Sequence, residues 1–221
     1  APSMLPETRD TIAAIATAPG AGAIGVVRIS GPAARDVLRR VFVPSGGQER
    51  ELEARRVYHG WARDARTGER LDEVLAWFAP APHSFTGEDT GELQGHGGSR
   101  VRARVLESVV AEGCRPAGPG EFSRRAFLNG RMDLSRAEAV ADLIAASTVR
   151  AARAARAHLE GALARRAAEL RERTLSILAG VEASVDFPEE PLETADARSL
   201  GGGIDSIAAE CRGLAGTFRS G

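Results

Sequence analysis

The hydrophobic pattern changes period near residue 130, and this limits the chain to two differently built parts. Before it, glycine, proline and β-branched residues punctuate short stretches. Residues 11–17 (TIAAIAT) and 23–30 (AIGVVRIS) read as strands joined by the turn APGAG. Residues 32–42 read as a helix with Val37, Leu38 and Val41 on one face. Residues 55–64 and 71–79 suit a hairpin with its tip near Thr67-Gly68, and 90–96 a further strand. Residues 100–112 repeat at the helical period through Val101, Val105, Val109 and Val110.

Beyond residue 130 the pattern is almost all helical. Ser135-Arg-Ala-Glu138 predicts a capping box, with the serine accepting from the amide three residues on. One helix is expected from there through LIAAST towards Gly180, with Leu159, Leu163, Leu170 and Ile177 at helical spacing. DFPEEP at 186–191 should break it. A last amphipathic stretch, about 195–218, is weakened as a helix by GGG at 201–203. The expected architecture is an α+β domain over residues 1–120, then an all-α domain over 121–221 with long antiparallel helices.

Composition excludes some function classes. The 221 residues carry a formal charge of −1, so no global field draws the chain to nucleic acid or membrane. Cys114 and Cys211 lie far apart without CxxC company, which argues against a disulfide framework and for a reducing cytosol. No apolar run approaches the roughly 20 residues that span a bilayer, and the first residues show no basic n-region followed by an apolar core. All 29 basic residues are arginine. A P-loop needs GxxxxGK[ST], with its lysine on the β/γ-phosphates, so no GTP or ATP hydrolysis through a P-loop is expected of these residues.

Several short motifs are ambiguous. Gly20-Ala-Gly22-Ala-Ile-Gly25 matches GxGxxG, but it leads into strand-like VVRIS, whereas a dinucleotide site needs a helix there. A tight turn is the better reading. His59, His83, His96 and His158 lack zinc-ligand spacing, so no metal is expected. His96, in GHGG, suits a strand-end role as well as a ligand contact. Arg150, Arg153, Arg156, Arg165, Arg166, Arg171 and Arg173 could meet tRNA phosphates or form a solvated face with Glu160, Glu169 and Glu172. In 90–96, Glu92, Gln94 and His96 share one face and Leu93 the other, as for a cleft wall or an exposed edge strand.

Four segments, in order, resemble the tRNA modification GTPase family MnmE, also called TrmE. They are DTIAAIATAPGAGAIGVVRISGP (10–32), PHSFTGEDTGELQGHGG (82–98), RPAGPGEFSRRAFLNGRMDLSRAEAVADLI (115–144) and VEASVDFPEE (181–190). The resemblance implies an N-terminal folate-binding domain similar to that of an aminomethyltransferase, which also forms the homodimer, and then a helical domain. It implies action on tRNA with an FAD-containing partner, MnmG (GidA), at carbon 5 of the wobble uridine, in the cytoplasm. The one-carbon donor would be 5-formyltetrahydrofolate or another one-carbon tetrahydrofolate. In the family, GTP, Mg2+ and K+ are bound by a G domain; the chain stops about where that domain would begin, so the sequence reads as the N-terminal portion of a longer protein. The cofactor-binding positions carried over are Arg28, Glu92 and Arg131, and no catalytic residue is assigned. Arg28 can hydrogen-bond a pterin or a folate carboxylate. Glu92 can accept from an amino-pyrimidinone edge. Arg131 stands where the family has lysine, and the two are not interchangeable at a tight site. The alternatives are a dimerisation and docking module with a degenerate folate pocket, or a stand-alone aminomethyltransferase-like enzyme; DFPEE and the helical half argue against the latter.

Overall fold

A computed structural model describes residues 10–46, 52–186 and 197–217. The chain divides into two compact units, one ending at Ala137 and one beginning at Glu138.

The first unit is built on a sheet of β1 (Ile12–Ile15), β2 (Ile24–Ser30), β3 (Phe42–Pro44), β4 (Tyr58–Arg63), β5 (Arg70–Ala79), β6 (Thr90–His96) and β7 (Arg115–Pro116). Their spatial order is β3-β4-β5-β6-β2-β1-β7. All neighbours are antiparallel except β1 and β7, which are parallel. Helix α1 (Ala34–Val41) leads from β2 to the far edge at β3, and α2 (Ser99–Ala111) leads from β6 to the opposite edge at β7.

Alternation along the strands explains where the core sits. Val27 and Ile29 of β2, Leu93 of β6, and Val74, Ala76 and Phe78 of β5 are buried together with Val37, Leu38 and Val41 of α1 and Val105 and Val109 of α2. This is the face expected for residues 32–42. A Cβ on Gly91 would lie 3.2 Å from Leu38 Cδ2, so glycine there lets α1 sit close on β6. Residues of the other parity, Arg28, Glu92 and Trp77 among them, lie on the opposite face.

Helix α3 (Glu121–Leu128) belongs to the first unit, so the division lies beyond the expected 120/121. Buried Arg125 ties α3 to residue 10 at the start of β1 and to the 84–89 loop, which makes the helix part of the sheet domain.

The second part is all helix: α4 (Leu134–Ala145), which spans the division, α5 (Val149–Leu159), α6 (Ala162–Asp186) and α7 (Ala197–Thr217). Three details differ from the expectation. The cap of α4 is Asp133, whose Oδ1 accepts from the Arg136 amide at 2.9 Å and from Ser135 Oγ at 2.6 Å, because a carboxylate outcompetes a hydroxyl for a helix N-terminus. The single long helix is three: Thr148 Oγ1 accepts from the Ala151 amide at 3.1 Å and starts α5, and Gly161, at φ 76°, supplies the left-handed residue that ends it. The GGG at 201–203 lies inside α7. Helices α6 and α7 are antiparallel, since Arg173 reaches Glu210 at 2.7 Å while Gly180 lies beside Leu200. A Cβ on Gly203 would stand 2.8 Å from Ile177 Cδ1, so this glycine permits the close approach. The break expected at 186–191 lies, from residue 187 on, outside the described residues.

Candidate functional site

The register of three neighbouring strands puts Arg28 of β2 opposite Glu92 of β6, and Glu92 opposite Trp77 of β5. Directly opposed residues share a face, so the three form a row across the sheet on the side away from α1 and α2. Arg28 Nε donates to Glu92 Oε1 at 2.7 Å. Trp77 Nε1 and Gln94 Nε2 both donate to Glu92 Oε2 at 3.0 Å. The Glu92 side chain is 7% exposed and that of Arg28 28% exposed, so arginine is the partner that faces solvent. Among the described residues no hydrogen bond leaves its Nη1 or Nη2. Two rings flank its guanidinium, Phe85 at 5.4 Å and Phe122 at 5.7 Å from Cζ to centroid.

Phe85 stands on the 84–89 loop, SFTGED, a turn before β6 as the sequence suggests. The loop is braced from both sides. Ser84 Oγ donates to the Glu88 carbonyl at 2.5 Å, and Asp89 Oδ1 accepts from the Ala81 amide at 2.8 Å. Glu88 Oε2 accepts from Ser30 Oγ at 2.7 Å, and both its oxygens accept from Arg125 Nη1 at 3.2 Å. Asn129 Nδ2 donates to the Thr86 carbonyl at 2.8 Å, and Arg131 Nε to the Ser84 carbonyl at 3.1 Å. Gly87, at φ 79°, packs against this end of α3: a Cβ there would lie 3.0 Å from both Asn129 Cβ and Arg131 Cγ.

Of the three positions carried over, Arg28 and Glu92 are thus bonded to each other, while Arg131 holds the loop that brings Phe85 to Arg28. Trp77, Phe85, Phe122, Arg125 and Asn129 were not singled out by sequence reasoning. Trp77 had a usable signal, because its place in an alternating strand next to 90–96 leaves only register to decide its neighbour. Phe122 had none, since its partner is 94 residues away.

One family model, described as GTP-binding protein TrmE N-terminus, matches residues 11–131, and a second, the MnmE helical domain, matches 134–221. The tRNA modification GTPase MnmE of Symbiobacterium thermophilum is 49% identical over 215 residues, covering 96% of this chain and 46% of its own length. That of Bordetella petrii is 48% identical over 222 residues, covering 99% of this chain and 48% of its own. That of Thermus thermophilus is 49% identical over 206 residues, covering 93% and 46%. The chain belongs to the MnmE (TrmE) tRNA modification family. It spans about half the length of the relatives it matches.

The remaining motifs of this MnmE-family chain have structural explanations. The GxGxxG match joins two antiparallel strands and leads into β2 rather than into a helix of its own. Buried Arg102 of α2 closes that turn, donating to Thr17 Oγ1 at 3.2 Å, to the Ala18 carbonyl at 2.9 Å and to the Gly20 carbonyl. His96 ends β6 on Asp72, which accepts from its amide and from Nδ1, both at 2.7 Å. That hydrogen bond to Asp72 raises the His96 pKa above 6.5. Arg156, Arg166, Arg171 and Arg173 are ion-paired with glutamates, as a solvated face would be. Among the described residues no group of three or more His, Cys, Asp and Glu could hold a metal ion, and no helix is long and apolar enough to cross a membrane.

Proposed function

We propose that this chain binds a one-carbon tetrahydrofolate at the Arg28–Glu92 pair, as the folate-binding and dimerising part of a tRNA-modifying GTPase. The observation that carries the reading is the Arg28–Glu92 pair itself, bonded at 2.7 Å, held between two phenylalanine rings and open on its arginine side. The donor set fits such a ligand. Arg28 keeps its terminal nitrogens for an acceptor such as a pterin carbonyl or a folate carboxylate. Glu92 Oε1 takes one donor from the protein and has a second lone pair for an amino edge. When bound, the folate would supply the one-carbon unit. The residues described here bind and orient it.

In the whole protein this part would work in the cytoplasm, as a homodimer, with an FAD-containing partner and with tRNA, towards modification at carbon 5 of the wobble uridine. GTP hydrolysis would belong to a G domain that these residues do not include. The relatives' name, tRNA modification GTPase, supports the coarse reading, and the 48–49% identity supports carrying it to this chain.

One observation favours the alternative of a docking and dimerisation module with a degenerate pocket. Arg131, standing for the family's lysine, uses Nε on the Ser84 carbonyl. Calorimetric titration with 5-formyltetrahydrofolate separates the two, on protein shown by sedimentation to be dimeric. Binding is expected, with its loss in Glu92→Ala and weakening in Glu92→Gln. No heat from the wild-type dimer would leave the docking reading standing, and a monomer at high concentration would remove the dimer.

A further inference from the structure

Phe85 is 39% exposed, yet its loop neighbours Ser84 and Thr86 are 7% and 0% exposed. A large apolar side chain held partly outward on a closely braced loop forgoes part of the stabilisation that full burial would give. Its ring faces the guanidinium of Arg28 at 5.4 Å. Phe122, from α3, approaches the same guanidinium at 5.7 Å. Two elements far apart in sequence therefore deliver rings to Arg28, whose terminal nitrogens make no hydrogen bond within the described residues.

Both carriers are secured by the same few groups. Arg125, none of which is exposed, lies on α3 with Phe122 and grips the loop through Glu88. Asn129, at the C-terminus of α3, grips the carbonyl of Thr86, the residue after Phe85. Neither Arg125 nor Asn129 touches Arg28 or Glu92 by any hydrogen bond in the structure. Any effect they have on the pair is indirect, through the loop and α3.

We propose that Phe85 is a ligand-contacting wall of the Arg28–Glu92 site, and that Asn129 and Arg125 are positioning residues that hold it there. The ligand class is a planar heterocycle with a hydrogen-bonding edge. The edge meets Arg28 and Glu92, and the ring system lies against Phe85, as apolar and aromatic walls commonly receive such ligands. This rests on the folate reading above and adds to it a contact outside Arg28, Glu92 and Arg131. A preset wall also lowers the ordering cost of binding.

The test is calorimetric titration of the full 221-residue dimer with 5-formyltetrahydrofolate, across wild type, Phe85→Ala, Phe85→Tyr, Asn129→Asp and the Phe85→Ala/Asn129→Asp double variant. Phe85→Ala should weaken binding about tenfold and Phe85→Tyr less than about twofold, with thermal midpoints near wild type. Asn129 lies at the exposed C-terminal end of α3, and the thermal midpoint of each variant checks that it stays folded. Asn129→Asp, which loses the donor to Thr86, should weaken binding about fivefold. If Asn129 acts through Phe85, the double variant binds no more weakly than Phe85→Ala alone. Wild-type binding left unchanged in Phe85→Ala would overturn the wall and leave the folate site standing. Additive losses in the double variant would overturn the positioning role. A silent wild type would remove the folate reading and this inference together.

Discussion

A guanidinium with none of its surface exposed stands among three carboxylates in the first unit. Arg125 reaches Asp10 at 2.7 Å, Glu121 at 3.1 Å and Glu88 at 3.2 Å. Arg115 extends the cluster, meeting Glu121 at 2.6 Å and Asp10 at 2.7 Å. Buried charge is tolerated only when it is paired and hydrogen-bonded. The cluster does so by joining the start of β1, the 84–89 loop, β7 and α3. Its acid lability follows. The hydrogen bond from Arg115, helped by the Gly118 amide and Arg125, pulls Glu121 from its ordinary 4.5 down to about 2. A carboxyl depressed in the folded state stabilises fully above its unfolded value and loses that contribution as pH falls through the folded one. Urea midpoints should therefore fall between pH 4.5 and about 2, and Glu121→Gln should flatten that decline. An equal slope in the variant would show that another carboxylate governs acid unfolding.

At the scale of elements, strands were legible where the period is 2 and helices where it is 3.6. Residues 90–96 form β6 over the expected span, and Val37, Leu38 and Val41 are buried on α1 as their spacing implies. Helix ends were less legible because competing caps lie within one or two residues: Asp133 prevails over Ser135, and Thr148 and Gly161 cut a pattern whose periodicity continues across both. The GGG of α7 shows packing overriding propensity. Gly203 faces Ile177, but a Cβ on Gly202 meets nothing within 4 Å. Gly202→Ala should then raise stability by about 0.5–1 kcal/mol through helix propensity alone. Thermal melts of the chain would register this, and a lower midpoint would mean that α7 is not helical there in solution.

At the scale of the molecule, a sheet domain and a helical domain share one chain whose sequence lacks lysine and any GxxxxGK[ST]. This chain alone should turn over no GTP; release of phosphate at a rate proportional to purified chain, and lost with no contaminant removed, would contradict that. The sequence by itself determined the change from α+β to all-α near residue 130, because periodicity and turn residues are local properties. It also determined the family, through long motifs in order, and it excluded a P-loop. What the tertiary structure decided is which side chains meet. Nothing in SFTGEDTGELQGHGG tells that Glu92 would be taken by Arg28, Trp77 and Gln94, or that Phe85 would face Arg28 beside Phe122. Those meetings depend on strand order and on a buried arginine 37 residues from Glu88. They are long-range contacts, which exist only once the sheet has set its register.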